Sequence, residues 1–250
     1  MTAYFNEFAP YPARVLRARI VDGLLPDGEV DERDVRSVDP RNLAEYDQIH
    51  LFAGVGGLPY GLRLAGWPDD RPILTAGFPC QPVSHAGKRL GQADARWLWP
   101  EVARILRVVR PPTVLLENVP GLLGRGLSDV LGDFAALGFD ARWEVISAAE
   151  VGAPHIRKRI WILAYPSGLA DVQAVAPVGA QRGERITRNN AGGLSWPTLA
   201  GSHWDIYQPP PVGVDDGLPS RMDRGVAMGN GVVPQSVVEV IVRWRQEGLL

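Results

Sequence analysis

The chain has one cysteine, two lysines (Lys88 and Lys158) and no uninterrupted apolar stretch long enough to cross a bilayer. Each scarcity excludes something. A lone thiol closes no internal disulfide, so the fold must be held by its core. One cysteine and four scattered histidines give no metal-ligand spacing, so no metal site is expected. A spanning helix needs about 20 consecutive apolar residues, so no membrane partner is expected. The opening MTAYFNEFAPYPARV lacks the basic-then-apolar pattern of a secretory signal, and a cytoplasmic location is expected. The net charge of −2 does not advertise a polyanion as partner. Only the local field matters to a docked ligand, however. The positive charge is nearly all arginine, the better bidentate partner for phosphates and guanine edges.

What is present reads as one α/β domain with an appendage. The 250 residues are 46% hydrophobic and 22% charged, an ordinary globular balance. Strands are expected at Tyr4–Glu7, Val30–Val35, Asp47–Ala53, Pro72–Ala76, Thr113–Glu117, Ala141–Ile146 and Arg159–Ala164. Helices are expected at Pro12–Val21, Leu58–Ala65, Leu98–Val109 and Leu127–Leu137, with a last one within VVPQSVVEVIVRW. Alternation of this kind predicts a doubly wound, Rossmann-like, mostly parallel sheet. From Ser167 to Arg224 the texture changes to Gly, Pro, Asn and Arg, with Trp196, Trp204 and Tyr207 as apolar anchors. The expected division is a core of 1–166 and 225–250 and a loop-rich lobe of 167–224.

Three segments carry the chemistry-bearing residues. GFPCQPVSHAGKRLG puts Cys80 just beyond a strand's C-terminal end, where open α/β sheets bind ligands. A thiol there is either a nucleophile or a structural cysteine, and the Gly- and Ser-rich run after it can close over a substrate. LLENVPG puts Glu117 at the end of the next strand. Two adjacent parallel strands deliver Cys80 and Glu117 to one sheet edge, where a carboxyl group can act as an acid; the plain alternative is a strand terminator before a turn. LFAGVGG holds Gly54, Gly56 and Gly57 between strand and helix, which allows a tight turn and close backbone approach to a ligand. It is not a G-x-G-x-x-G dinucleotide pattern. Phe52, just ahead of the turn, can stack on an adenine.

Taken in order, FAGVGG, GFPCQP, ENV and PHIRKRI resemble the signature motifs of cytosine-5 DNA methyltransferases of bacterial and phage type, and GNGVVP is similar to that family's C-terminal motif. The resemblance implies transfer of a methyl group from S-adenosyl-L-methionine to carbon 5 of a cytosine flipped out of the duplex. Cys80 would attack carbon 6, Glu117 would protonate ring nitrogen 3, and Arg159 would hold the carbonyl oxygen, with Arg157 in support. Phe52, Ala53, Gly54, Gly56 and Gly57 would line the donor, and Asn230 and Val232 would close over it. His50 stands where the family often has an acid, and His155 where it has a glutamine.

One feature departs from the family's layout. The glycine loop usually precedes the Pro-Cys-Gln loop by two further strands, each ending in a donor-binding acid. Here YFNEFAPYPARVLRARI and DERDVRSV, similar to those strands, stand in front of the glycine loop. A circular permutation is therefore expected, in which Glu7 would bind the ribose hydroxyls, Phe8 would pack on the adenine, and Asp34 with Val35 would meet the adenine edge. The competing expectation is a cofactor-defective relic. Residues 167–224 correspond by position to a target-recognition region. Ser84, Lys88, Arg89, Arg96, Arg182, Arg185, Arg188, Arg221 and Arg224 are its candidate contacts to double-stranded DNA and those of the Cys80 loop. A cognate restriction enzyme and a monomeric state complete the expectation. A tRNA substrate is the enzymatic alternative, since one branch of the family modifies tRNA.

Overall fold

The computed structural model describes residues 3–79, 97–153, 155–168 and 231–250. The first strand, β1 (Ala3–Asn6), is buried along its whole length. Helix α1 (Pro10–Val21) follows, starting two residues earlier than its apolar spacing suggested. Proline fits that first turn because its missing N–H has no partner to lose there. Strand β2 (Gly28–Asp31) ends well before the expected Val35. The reason is local: the Asp34 carboxylate accepts from the Arg36 amide at 2.9 Å and caps a short 3-10 helix, Val35–Ser37. Such a side-chain bond offers the backbone an alternative to the strand ladder. A second short 3-10 helix, Pro40–Leu43, leads into β3 (Gln48–Leu51). Helix α2 (Gly57–Leu64), β4 (Ile73–Ala76), α3 (Trp99–Val109) and β5 (Val114–Asn118) follow. Two helices, α4 (Leu122–Arg125) and α5 (Leu127–Ala136), precede the long antiparallel pair β6 (Phe139–Ser147) and β7 (Lys158–Pro166). The last described helix is α6 (Pro234–Gln246).

Among the described residues, seven strands form one sheet in the order β2-β1-β3-β4-β5-β7-β6. The pairs from β2 through β5 are parallel, and β7 alone runs against its neighbours. This is the doubly wound, mostly parallel sheet that the strand–helix alternation predicts. On one face lie α1, α2 and α6, packed on Ala3, Phe5, Ile73 and Leu115. On the other lie the 3-10 connector, α3 and α5, packed on Tyr4, Ile49, Leu74, Val114 and Leu116. Helices α2 and α6 approach closely because Gly61 faces Val237; a Cβ at Gly61 would come within 2.5 Å of the valine Cβ.

The chain crosses from β2 over β1 to β3 through the 3-10 connector, so the glycine-loop strand β3 follows β1 and β2 and lies directly before β4, the path expected from the motif order. This rearrangement has a cost in handedness. The passages β1–α1–β2, β2–β3, β4–α3–β5 and β5–β6 share one hand, the right-handed one that sheet twist favours in about 98% of such crossovers. The passage β3–α2–β4 moves towards β5 but carries its helix on the α1 face, so its hand is reversed.

At the middle of this rearranged region sits His50, fully buried on β3. Its Nδ1 lies 2.8 Å from Thr75 Oγ1 on β4, and its Nε2 lies 3.1 Å from Gln48 Oε1. Gln48 Nε2 donates to the Pro68 carbonyl at 2.9 Å, so its oxygen is the end that faces the ring. His50 Nε2–H therefore donates to Gln48, and Nδ1 accepts from the Thr75 hydroxyl. The Phe5 ring stacks on the imidazole at 5.0 Å. Burial pushes the imidazole pKa down to about 3 from 6.5.

The unfolded chain thus takes up a proton near pH 6.5 that the folded chain refuses. Stability is fully present above that pH and falls as pH drops towards 3, by up to ~1.4 kcal/mol per pH unit. Urea denaturation at pH 7 and pH 5 should show about 2 kcal/mol more loss in the unaltered chain than in His50→Gln. Equal losses would show that His50 is not the group responsible.

Candidate active site

In a parallel sheet all C-terminal strand ends open on one edge, and an antiparallel strand brings its N-terminal end there. That edge collects Glu7 and Phe8 after β1, Asp34 after β2, the Phe52–Gly57 loop after β3, Gly77–Pro79 after β4, Glu117 at the end of β5 and Arg159 at the start of β7. Residues from distant parts of the sequence thereby share one rim.

The left half of the rim is built around Glu7. Its carboxylate accepts from the Ala9 amide at 2.8 Å and from the Gly54 amide, also at 2.8 Å. The first bond fixes its own turn, and the second ties β1 to the glycine loop. Burial raises the Glu7 pKa, with the two amide bonds pulling the other way. The loop is anchored again where the Ala53 amide donates to the Asn6 carbonyl at 2.9 Å. Phe52 has a positive φ of 54°, a left-handed backbone that non-glycine residues adopt at a cost of order 1 kcal/mol or more. Gly54 and Gly56 are also left-handed, and a Cβ at Gly54 would meet open space. Beside Glu7, Phe8 leaves 69% of its surface exposed, unusual for a large aromatic on a buried strand's exit. Val35 is buried, so only its backbone is offered to a ligand, and Asp34 is occupied by its own cap and an ion pair with Arg36.

The right half is built around Glu117, which is only 9% exposed. Arg159 Nε lies 2.7 Å from Glu117 Oε1. Burial pushes the Glu117 pKa up, while Arg159 and then Arg157 pull it down; burial wins. The result is a carboxyl group with an elevated proton affinity held against a cation. Its second oxygen lies beside Gly77, where a Cβ would stand 3.5 Å away. Glycine thus leaves room between the acid and the start of the Cys80 loop. Asn118, which the sequence reading passed over, closes this corner: its Nδ2 donates to the Phe78 carbonyl at 3.2 Å, and its Oδ1 accepts from the Val119 amide at 2.8 Å. Asn6 was missed likewise; its Nδ2 donates to the Arg33 carbonyl at 2.9 Å and fixes the turn after β2. Asn118 lies within the ENV motif, whereas the only sequence signal of Asn6 is adjacency to an acid at a strand end.

Of the expected site residues, the structure brings Glu117, Arg159 and Arg157 together, and separately Glu7 with Gly54. Val232 meets the head of α2, where its carbonyl would be 2.5 Å from a Cβ on Gly57. Cys80, Ser84, Lys88, Arg89, Arg96, Arg182, Arg185, Arg188, Arg221, Arg224 and Asn230 lie outside the described residues. Among the described residues no cluster could hold a metal ion, and no helix is long and apolar enough to cross a membrane.

Comparison with known proteins fits this rim. The family described as C-5 cytosine-specific DNA methylase matches residues 67–190, which include the β4 exit, Glu117 and Arg159. Type II methyltransferase M.NgoBV of Neisseria gonorrhoeae is 46% identical over 121 residues, spanning 42% of this chain and 28% of the relative. Type II methyltransferase M1.ScrFI of Lactococcus lactis subsp. cremoris is 30% identical over 190 residues, spanning 58% and 49%. Among solved structures, a Spodoptera frugiperda DNMT2 mutant aligns over 68% of this chain and 44% of its own, at 16% identity and a TM-score of 0.46. Over residues 67–190 the chain is thus similar to the C-5 cytosine-specific DNA methylase family. It spans half or less of the length of these two relatives.

The ion pair is open to test by itself. Arg159→Ala strips the buried carboxylate of its nearest cation, and neutral-pH stability should fall by about 3 kcal/mol in urea denaturation. The deficit should fade as pH falls towards the ordinary glutamate value of 4.5, where the carboxyl is protonated in both states. A deficit independent of pH would place its origin elsewhere.

Proposed function

We propose that the chain is a DNA (cytosine-5-)-methyltransferase that uses S-adenosyl-L-methionine as methyl donor. The observation that carries the reading is the buried Glu117–Arg159 pair, set 3.5 Å from a Cβ position on Gly77, three residues before Cys80. A cytosine ring is planar, with an acceptor nitrogen between a carbonyl and an amino group. A protonated carboxyl beside a guanidinium matches that edge: Glu117 donates to nitrogen 3, and Arg159 donates to the carbonyl oxygen. Its raised proton affinity suits Glu117 to hold the proton that this step requires. Addition of the Cys80 thiolate to carbon 6, with protonation at nitrogen 3, turns carbon 5 into a nucleophile. After methylation, loss of the carbon 5 proton expels the thiolate. A base must leave the duplex to reach such a pocket, at a cost of a few kcal/mol.

The residues of the left half fit the donor. Glu7 offers a carboxylate to ribose hydroxyls, exposed Phe8 a face for the adenine, and the left-handed Phe52–Gly57 loop a close backbone approach. Asp34, Val35, Asn230 and Val232 complete the proposed donor set. The donor, when bound, supplies an electrophilic methyl group on sulfonium. The proposed division assigns 1–166 and 225–250 to catalysis and 167–224 to target recognition of double-stranded DNA. A cognate restriction enzyme, a monomeric state and a cytoplasmic, bacterial or phage setting belong to the same proposal. Relatives named as Type II methyltransferases favour DNA over tRNA as substrate.

The motif order has a matching proposal. If β1 and β2 are the family's second and third strands and β3 its first, the spatial order β2-β1-β3-β4-β5 becomes 3-2-1-4-5, the doubly wound order. The reversed crossover β3–α2–β4 then falls at a join that the exchange of segments created. The exchange is local, between β1–β2 and β3.

Two measurements test the reading. Duplex DNA carrying 5-fluorocytosine should trap a covalent adduct with the unaltered chain and donor, and none with Cys80→Ser; trapping on tRNA instead would redirect the substrate. Glu7→Ala should weaken binding of S-adenosylhomocysteine by about tenfold, as expected for loss of charged hydrogen bonds. Unchanged affinity would favour the relic.

A further inference from the structure

Arg157 stands just before β7, and its backbone is fixed where the Ala148 amide donates to its carbonyl at 3.1 Å. Its side chain reaches two places. The guanidinium is near enough to Glu117 to draw that carboxyl's proton affinity down. Its Nη2 also donates to the Gly231 carbonyl at 2.9 Å, a contact between residues 74 apart in sequence. Gly231 opens the short run into α6, and the next carbonyl, that of Val232, lies against Gly57 so closely that a Cβ there would come within 2.5 Å. Gly57 is the first residue of α2, directly after the left-handed Gly56 of the glycine loop. Arg157 therefore acts on the Glu117–Arg159 pair through its charge and touches the other half of the site through Gly231, whose neighbour Val232 lies against the head of α2.

We infer that Arg157 is a positioning residue for the methyl-donor side of the site, seating the 231–233 segment over the glycine loop through the Gly231 carbonyl. This inference rests on the methyltransferase reading and refines it, since that reading gave Arg157 only a supporting role in the cytosine pocket. A guanidinium suits the task because its fixed fork spans two groups at once. A charge-assisted bond to a carbonyl is strong enough to hold a glycine-led segment that has no strand of its own. Lysine in its place keeps the positive charge near Glu117 but lacks the planar reach to Gly231. The substitution therefore separates the two roles.

The test is titration of S-adenosylhomocysteine into the full chain without DNA, with Arg157→Lys beside the unaltered protein. Binding about tenfold weaker in Arg157→Lys, at an unchanged melting temperature, is the expected result. In turnover the loss should appear in the donor KM rather than in kcat. Amide hydrogen exchange gives a readout independent of binding: Val232 and Val233 should exchange faster in the variant, while β5 and β7 stay protected. Equal donor affinity, or unchanged exchange at those two amides, overturns the inference and leaves the methyltransferase reading standing. No binding by the unaltered protein overturns both.

Discussion

The rest of the site depends on the contact between Glu117 and Arg159 at the rim of the sheet. A carboxylate taken out of water loses several kcal/mol of hydration, and one guanidinium repays that only with good geometry. Here the pair forms between the end of β5 and the start of β7, strands locked in antiparallel register from Val114–Ala164 to Asn118–Ile160. The register fixes where the two side chains meet before any ligand arrives. The β4–β5 pairing then sets the distance to the Cys80 loop, with Asn118 tying the β5 end to Phe78. A site assembled from rigid strand ends keeps its charges aligned without reorganising at each turnover.

The rearranged half of the sheet relies more on side chains. Glu7 bonds to Gly54, the Asn6 side chain holds the turn after β2 while its backbone carbonyl accepts from Ala53, and His50 links Gln48 to Thr75. These contacts cross the passages in which chain order and strand order disagree. A left-handed crossover does not gain from sheet twist, so its placement depends on packing. Gly61 against Val237, and Gly57 beneath Val232, let α2 settle against α6 and the segment before it.

Much of this was legible beforehand, and the failures have physical causes. Apolar patterning marked six of the seven strands, the charged second one was met only at Val30 and Asp31, and the motif residues at the C-terminal ends marked one edge. Strand limits erred where side chains compete with the ladder, as at Asp34, or where edge strands outrun their apolar centre, as in β6. The resemblance exposed the unusual motif order; which strands lie side by side in the sheet came only from the structure. The roles of Asn118, inside the ENV motif, and of Asn6 were not legible because their contacts are to backbone groups, and no residue pattern advertises a carbonyl. The buried histidine on β3 looked like a mere replacement for an acid; only its three neighbours reveal a neutral, directed hydrogen-bond relay.

The strand order also bears on how the chain emerges during synthesis. β1 is made before either of the strands that flank it, β2 and β3. Its four residues, all destined for the interior, leave one ladder of N–H and C=O groups bare until β2 is made and the other until β3 is made. Unpaired strand edges invite pairing with other nascent chains. Brevity is the protection: four residues are too few to hold a foreign strand, and Pro10 ends the extended run before it can lengthen.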